Sequence, residues 1–279
     1  MSQDKRRRTR VQGGWAVTEK AKRSDADKTK VPPAPAWLAK TVDVPQQTTR
    51  QKFVYEETTE ELEHVEKERL LDKAGVYDLS LGPSGVSRVK LFPNFLEKAE
   101  CDAMFETLYD NLPWRQKSDV INGVKYLQPR MTLWLGPLPY SYSGVTHEAN
   151  NDWPPVIQRL KDHLEESTGL CFNSVLANLY HNGHDHLPWH SDNEKGMGQN
   201  PTIASVSLGD SRMFELRKKP PVEQPDDFSN TPRVKIPLDA GTLLIMEGTI
   251  QDDWQHRVPK EYHDRGPRIN LTFRVIHRE

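Results

Sequence analysis

His190 and Asp192, separated only by Ser191, offer one imidazole nitrogen and one carboxylate oxygen from the same side of an extended backbone, where side chains two apart share a face. His256, in Asp253-Trp254-Gln255-His256, can supply a second imidazole. Two histidines and one carboxylate on one face of an octahedral metal leave the other positions open, which is the donor set of non-heme Fe(II) sites that handle O2. Arg274, closing Arg268-Ile269-Asn270-Leu271-Thr272-Phe273-Arg274, adds a planar cation able to grip the far carboxylate of a 2-oxo acid such as 2-oxoglutarate with two parallel hydrogen bonds. Taken singly, a His-x-Asp pair is a common surface loop and an arginine a common surface charge. Their order along the chain, with β-rich segments between them, is what points to a site. A zinc reading competes, because His181, His184 and His186 crowd His190. Structural zinc, however, favours four protein ligands with thiolates prominent, and no cysteine lies within ten residues after that cluster.

The elements that must position these residues are legible in outline. Val86, Val89, Leu91 and Phe92 predict a strand closed by Pro93, and Asn94 is the expected N-cap of a helix reaching about Leu112. Cys101, Phe105, Leu108 and Leu112 form its apolar stripe, with Met104 beside them. A second helix is expected from about Pro154 to Thr168: proline opens it, Val156, Ile157, Leu160 and Leu164 share a face, and Gly169 follows its end. Residues 125–132 and 133–143 read as loops and short strands rich in aromatics. From Phe172 the apolar period shifts toward two, with strands expected at 172–180, 202–208, 212–217, 233–238, 242–246 and 268–276, and turn signals between several of them. The expected fold class is α+β, a double-sheet jelly roll (double-stranded β-helix) with the helices N-terminal to it on one outer face.

Composition sets wider bounds. The chain has 279 residues and a formal net charge of −2, so its total charge implies no general attraction to nucleic acid or membrane. Two cysteines make no disulfide framework, which makes a reducing compartment the default. No apolar run approaches the roughly 18 residues of a membrane span, and the charged start has no apolar core for a signal peptide, so a soluble intracellular protein without a membrane partner is expected. Residues 1–75 read as a disordered tail, basic and then acidic: 1–30 carry ten basic side chains against four acidic, and 53–72 carry eight acidic residues. Lys5-Arg6-Arg7-Arg8-Thr9-Arg10 reads as a nuclear-import signal or a phosphate-binding arm, with a plain solvated tail as the alternative. Residues 60–73 suggest a short acidic helix.

Asn178-Leu179-Tyr180, His190-Ser191-Asp192, Ser205-Val206-Ser207-Leu208-Gly209, His256 and the Arg268–Arg274 segment follow one another in a pattern that closely resembles the AlkB-like Fe(II)/2-oxoglutarate-dependent dioxygenases. Gln128-Pro129-Arg130 and Pro139-Tyr140-Ser141-Tyr142-Ser143 add to the likeness, which covers roughly residues 76–279. The resemblance implies an ordered domain over 76–279, with helices and a nucleotide-recognition segment in 76–170 and the jelly-roll core in 171–279. It implies that His190, Asp192 and His256 ligate Fe(II), and that the cosubstrates are 2-oxoglutarate and O2. Arg274, helped by the Tyr180 hydroxyl, would hold the distal carboxylate of 2-oxoglutarate. Asn178, Leu179, Arg268 and Asn270 would complete the cofactor site near its other end. The implied reaction removes methyl groups from N-alkylated bases such as 1-methyladenine and 3-methylcytosine, with release of formaldehyde and succinate.

Such chemistry needs the base out of its stack and in a pocket. Trp114, Tyr126, Trp134, Tyr140 and Tyr142 are the aromatics expected about the pocket mouth, with Tyr140 and Tyr142, from one face of a strand, the favoured pair, and Arg130 is expected on a backbone phosphate. Members of the family often carry an acidic residue directly after His-x-Asp; here Asn193 stands there, with an amide oxygen but no charge, and Glu194 follows as a possible substitute. The loop expected over 118–123 holds no aromatic to wedge into a duplex, which favours single-stranded DNA or RNA as the target. The resemblance further implies a helicase-containing repair complex as partner, a monomeric state, and residence in nucleus and cytoplasm. Two other readings are a 2-oxoglutarate-dependent hydroxylase of a protein or small molecule, and a jelly-roll interaction module with a decayed site.

Overall fold

The computed structural model describes residues 68–121, 124–142 and 145–278; the basic segment 5–10 and the tail up to residue 67 lie outside them. In chain order the elements are β1 (Glu68–Leu70), β2 (Gly75–Gly82), β3 (Gly85–Phe92), α1 (Lys98–Asn111), β4 (Ser118–Ile121), β5 (Val124–Leu127), β6 (Met131–Leu135), β7 (Tyr140–Tyr142), β8 (Val145–His147) and α2 (Pro155–Thr168). They continue with β9 (Ser174–Tyr180), β10 (Leu187–His190), β11 (Ile203–Gly209), β12 (Arg212–Lys218), β13 (Arg233–Leu238), β14 (Leu243–Gly248), α3 (Ile250–Asp253), β15 (Trp254–Val258) and β16 (Arg268–Arg274). A large sheet runs β2-β3-β14-β11-β16-β9-β6 and a small one β1-β13-β12-β15-β10. Side chains from both, among them Leu176, Met246, Phe214, Leu216 and Ile236, share one buried cluster, so the two sheets face each other as a jelly roll requires.

The large sheet is covered on its other side by the helices. Leu108 of α1 and Ile157, Leu160 and Leu164 of α2 pack with Ala177, Leu179, Val206, Leu208, Leu271 and Phe273. Strands β9 and β16 are consequently buried along their whole length. Their even-numbered residues face the small sheet and their odd-numbered residues face the helices. That alternation is the frame on which the site is built.

Several expectations need adjusting. Helix α1 starts at Lys98 with Glu97 preceding it, and Asn94 is instead a turn residue with φ 58°. Asparagine tolerates this left-handed conformation better than most residues, which gives the same residue type two competing uses. Glu68–Leu70 form a strand that pairs in parallel with Arg233–Lys235, so order begins upstream of Val76 and the described part of 60–73 is not helical. Of the loop expected at 118–123, residues 118–121 form the first arm of the β4–β5 hairpin, and 122–123 lie outside the described residues; in the sequence, Asn122-Gly123 is a two-residue turn signal. Helix α2 ends as expected, with Gly169 in the left-handed region at φ 70°.

Gly248 turns the chain from β14 into α3 with φ 67°, and a Cβ there would collide with the Val86 carbonyl oxygen. Gly248→Ala should therefore lower the stability of the chain by about 2 kcal/mol, read as a reduced urea midpoint, with wild-type stability as the result that contradicts this.

Candidate active site

The small sheet brings the three donors together. His190 ends β10 and is the direct cross-strand partner of His256 on β15. Their rings lie 4.1 Å apart, His190 Nε2 is 3.5 Å from Asp192 Oδ1, and one ligand atom from each of the three residues falls within 4.8 Å of the others. The His190 Nδ1 sits 2.9 Å from the Pro188 carbonyl, an acceptor that fixes the tautomer and turns Nε2 toward the site. Asp192 lies just beyond the strand, where Gln251 Oε1 accepts its backbone N–H (2.9 Å) and the neighbouring Ser191 hydroxyl donates to the Trp254 carbonyl (2.8 Å). Phe214 stacks on His256 at 5.2 Å.

The electrostatics suit a cation. Burial opposes ionisation of Asp192, but Arg274, His190 and His256 outweigh it and hold the carboxyl far below the usual carboxylate range. Burial, with repulsion from His190, pushes His256 down to about 3, so its imidazole is neutral at physiological pH. Two imidazoles, one of them held neutral in this way, and one carboxylate match the ligand requirements of Fe(II).

A pocket beside the triad is lined by the even-numbered faces of β9 and β16 together with Arg130, Tyr140, Ser205 and Phe214. Register decides which polar groups meet: Tyr180 is opposite Arg268, Asn178 opposite Asn270, and Ser174 opposite Arg274. Arg274 accordingly lies at the metal end, with Nη2 3.5 Å from Asp192 Oδ2 and Nη1 donating to the Tyr140 hydroxyl (2.6 Å). Arg268 lies at the other end, over the Tyr180 ring (5.3 Å), and Nη2 donates to Ser207 Oγ (2.9 Å). Arg268 is 1% exposed, burial pushes its guanidinium down to about 10, and its Nε and Nη1 meet no acceptor. A buried guanidinium with two unanswered donors fits the carboxylate of a dicarboxylic acid. The expected pairing of Tyr180 with Arg274 is therefore corrected: strand register hands Tyr180 to Arg268 and turns Arg274 toward Asp192. Asn270 Nδ2 donates to Ser205 Oγ (2.7 Å), and Thr272 Oγ1 donates to Asn270 Oδ1 (2.9 Å), completing a polar floor.

Other expectations fare unevenly. Leu179 lies on the opposite face of β9, among the helices, because strand side chains alternate; it does not line the pocket. Trp114 packs on the helix layer with Nε1 donating to the Leu108 carbonyl (3.1 Å), a scaffold role and not a base-binding one. Arg130 is 4% exposed and donates through Nε to Asn178 Oδ1 (2.9 Å), so it lies inside the pocket and is not placed to hold an external phosphate. Tyr140 is 3% exposed and stacked on Trp134 at 4.6 Å, a pocket wall and not a face at the mouth. Tyr142 belongs to β7, but its side chain lies outside the described residues. Tyr126 on β5 and Asn193 are exposed, whereas Glu194 is half-buried. Sequence reasoning missed His147, Arg212 and Thr272. Period two along β16 would have found Thr272. Arg212, whose guanidinium donates to the carbonyls of Asn182, Asp185 and Pro259, carries no local signal.

Comparison with known proteins shows the family. Residues 88–274 match the family model described as the 2OG-Fe(II) oxygenase superfamily. The chain belongs to that superfamily, and it is an Fe(II)- and 2-oxoglutarate-dependent dioxygenase that uses O2. Within the superfamily it is 49% identical to "Alpha-ketoglutarate-dependent dioxygenase alkB homolog 3" of Bos taurus over 99% of this chain and 97% of the relative. The protein of that name from Homo sapiens is 47% identical over the same shares. "DNA oxidative demethylase ALKBH2" of Homo sapiens is 34% identical over 64% of this chain and 70% of the relative.

His147 of β8 gives the fold a pH signature. Burial, with repulsion from Lys117, Arg130 and Arg274, pushes it from 6.5 down to about 4. The unfolded chain thus takes up the proton first, so the stability linked to His147 is complete above pH 6.5 and is lost as pH falls toward 4, by up to about 3 kcal/mol. Replacing His147 with Gln should flatten the decline of the urea midpoint between pH 7 and 4; an unaltered slope would show that His147 does not control it.

Proposed function

We propose that this chain oxidatively demethylates N-alkylated bases, 1-methyladenine and 3-methylcytosine among them, in single-stranded DNA and RNA. The observation that carries the reading is the triad of His190, Asp192 and His256 set beside buried Arg268 and Arg274, in a chain about half identical to relatives named alkB homolog 3. The name "DNA oxidative demethylase" of further relatives supports the substrate class. When bound, Fe(II) and 2-oxoglutarate supply, with O2, an oxidation that hydroxylates the N-methyl carbon, after which formaldehyde is lost and succinate and CO2 remain.

The chain's own residues prepare that reaction. His190, His256 and Asp192 hold the metal, the first oriented through Pro188 and the last through Gln251. Arg268 with Tyr180 takes the distal carboxylate of 2-oxoglutarate, and Asn178, Asn270 and Arg274 surround the end near the metal. Phe214, Leu176 and Met246 exclude water from the intervening wall. Tyr126 and Asn193 are exposed and available to the nucleic acid, with half-buried Glu194 as the acidic residue next to Asn193. The sequence 118–123 carries no aromatic wedge, which keeps the reading on single strands, since opening a duplex costs a few kcal/mol per step. A helicase delivering such strands, a monomeric enzyme, and work in nucleus and cytoplasm belong to the same reading.

The test is incubation with Fe(II), 2-oxoglutarate, ascorbate and methylated single strands, with formaldehyde and base reversion measured by mass spectrometry. Turnover is expected; its absence, together with 2-oxoglutarate consumption on a protein or metabolite, would overturn the proposal. Asp192→Ala should lower turnover at least about 100-fold with the fold retained. Arg268→Lys should raise the KM for 2-oxoglutarate about tenfold, because a point charge replaces a fork; an unchanged KM would remove Arg268 from that role.

A further inference from the structure

The outer face of the small sheet, turned away from the pocket, carries a cationic strip. On either side of the inward-facing Leu216 and His256, alternation sends Glu215 and Arg217 of β12 and Gln255 and Arg257 of β15 outward, beside Arg233 and Lys235 of β13. Register sets Arg217 directly opposite Arg233, and Lys235 and Arg257 on either side of Glu215. Like charges directly opposite across an antiparallel pair repel and cost stability. Arg217 donates through Nε and Nη2 only to the neutral Gln255 Oε1 (2.9 and 2.7 Å), and among the described residues Arg233 has no ion pair. Among the described residues the carboxylates on this face are Glu215, which pairs with Arg257 (2.6 Å), and Glu68, which pairs with Lys235 (2.9 Å), so four described cations face two described anions. Burial and the nearby Arg257 and Arg233 depress the Arg217 guanidinium below its ordinary value.

Aromatic rings interleave with these cations. The Arg217 guanidinium lies 4.4 Å from the Trp189 ring centroid and 3.5 Å from that of Phe228, and Arg257 lies 4.5 Å from Trp189. Trp189 is the residue before His190, on β10, which is the edge strand of this sheet. A strand with one base in the pocket therefore has only to round that edge to meet the strip. Guanidinia alternating with ring faces, with uncompensated positive charge, match the needs of single-stranded nucleic acid: phosphates for the cations and bases for the rings. We propose that Arg217, Arg233 and Arg257, with Trp189 and Phe228, form an accessory site for the backbone of the substrate strand, several nucleotides from the base being repaired; this rests on the demethylase reading.

The test compares full-length wild type with Arg217→Gln/Arg233→Gln, substitutions that relieve a repulsive pair and leave the pocket intact. Turnover is measured on methylated single strands of about 5 and about 25 nucleotides, and binding by anisotropy with an unmodified 25-mer. The double variant should raise the KM for the long strand about tenfold and leave the short one within a factor of two. Its salt dependence of binding should be shallower by about 1.4 in log–log slope, the value for two lost phosphate contacts on a single strand. An unchanged ratio between the two lengths overturns the inference. Equal losses on both lengths also overturn it, by assigning the arginines to the fold, and so does a gain in binding, by assigning the strip to an acidic polypeptide. If wild type turns over no methylated strand, the demethylase reading fails, yet selective loss of 25-mer binding in the variant would still support the strip.

Discussion

The site depends on an imbalance of buried charge. Arg130, Arg212, Arg268 and Arg274 are all nearly inaccessible, while Asp192 is the one carboxylate buried to the same degree among the described residues. Buried charges are expensive unless paired, and breaking one member of such a set costs far more than the set contributes. The fold meets part of this need without a second fully buried carboxylate: Arg212 is enclosed by carbonyls and lies 3.4 Å from Glu261 Oε1, Arg130 is held by the Asn178 amide, and Arg268 by a serine hydroxyl and the Tyr180 ring. What remains is a positive cavity next to the Asp192 carboxylate. That arrangement suits a dianionic cosubstrate spanning from the metal to Arg268 better than any neutral ligand.

The same imbalance explains why the triad is stitched so closely to its surroundings. A set of donors able to hold a metal tolerates little misplacement, and each of the three residues is held by a different kind of restraint: a carbonyl behind His190, an amide side chain behind Asp192, an aromatic ring against His256. The restraints come from α3, β10, β12 and the short turn after β10, so the metal end is a meeting point of the small sheet. The carboxylate end belongs to the large sheet. The cavity is the gap between them, and closure of the jelly roll is what assembles it.

Much of this is legible in the sequence. Apolar period and turn residues located α2, β3 and β9, β11, β12, β13, β14 and β16, and His190, Asp192 and His256 were found because their side-chain chemistry is distinctive. What escaped was relational. Whether Tyr180 serves Arg268 or Arg274 depends on antiparallel register, which a single strand's sequence does not contain. Arg130, Tyr140 and Trp114 have the types expected at a nucleic-acid surface, yet packing draws all three inward, because long amphipathic side chains can serve either environment. Asn94 shows the local version of this ambiguity, since one residue type suits both a helix cap and a left-handed turn.

The alternation along β9 and β16 carries a consequence for how such a chain can diversify. Each strand is read in two frames at once, with Asn178 and Tyr180 in the cavity frame and Ala177 and Leu179 in the helix frame. Point substitutions can explore one frame without touching the other. A one-residue insertion or deletion within the strand exchanges the two, turning the leucine toward the metal and burying the tyrosine and the amide against apolar helices. Length change is therefore closed to these strands and open to the turns between them. New substrate ranges should arise by remodelling hairpins such as β4–β5 and β7–β8 around a catalytic floor whose residue count cannot vary.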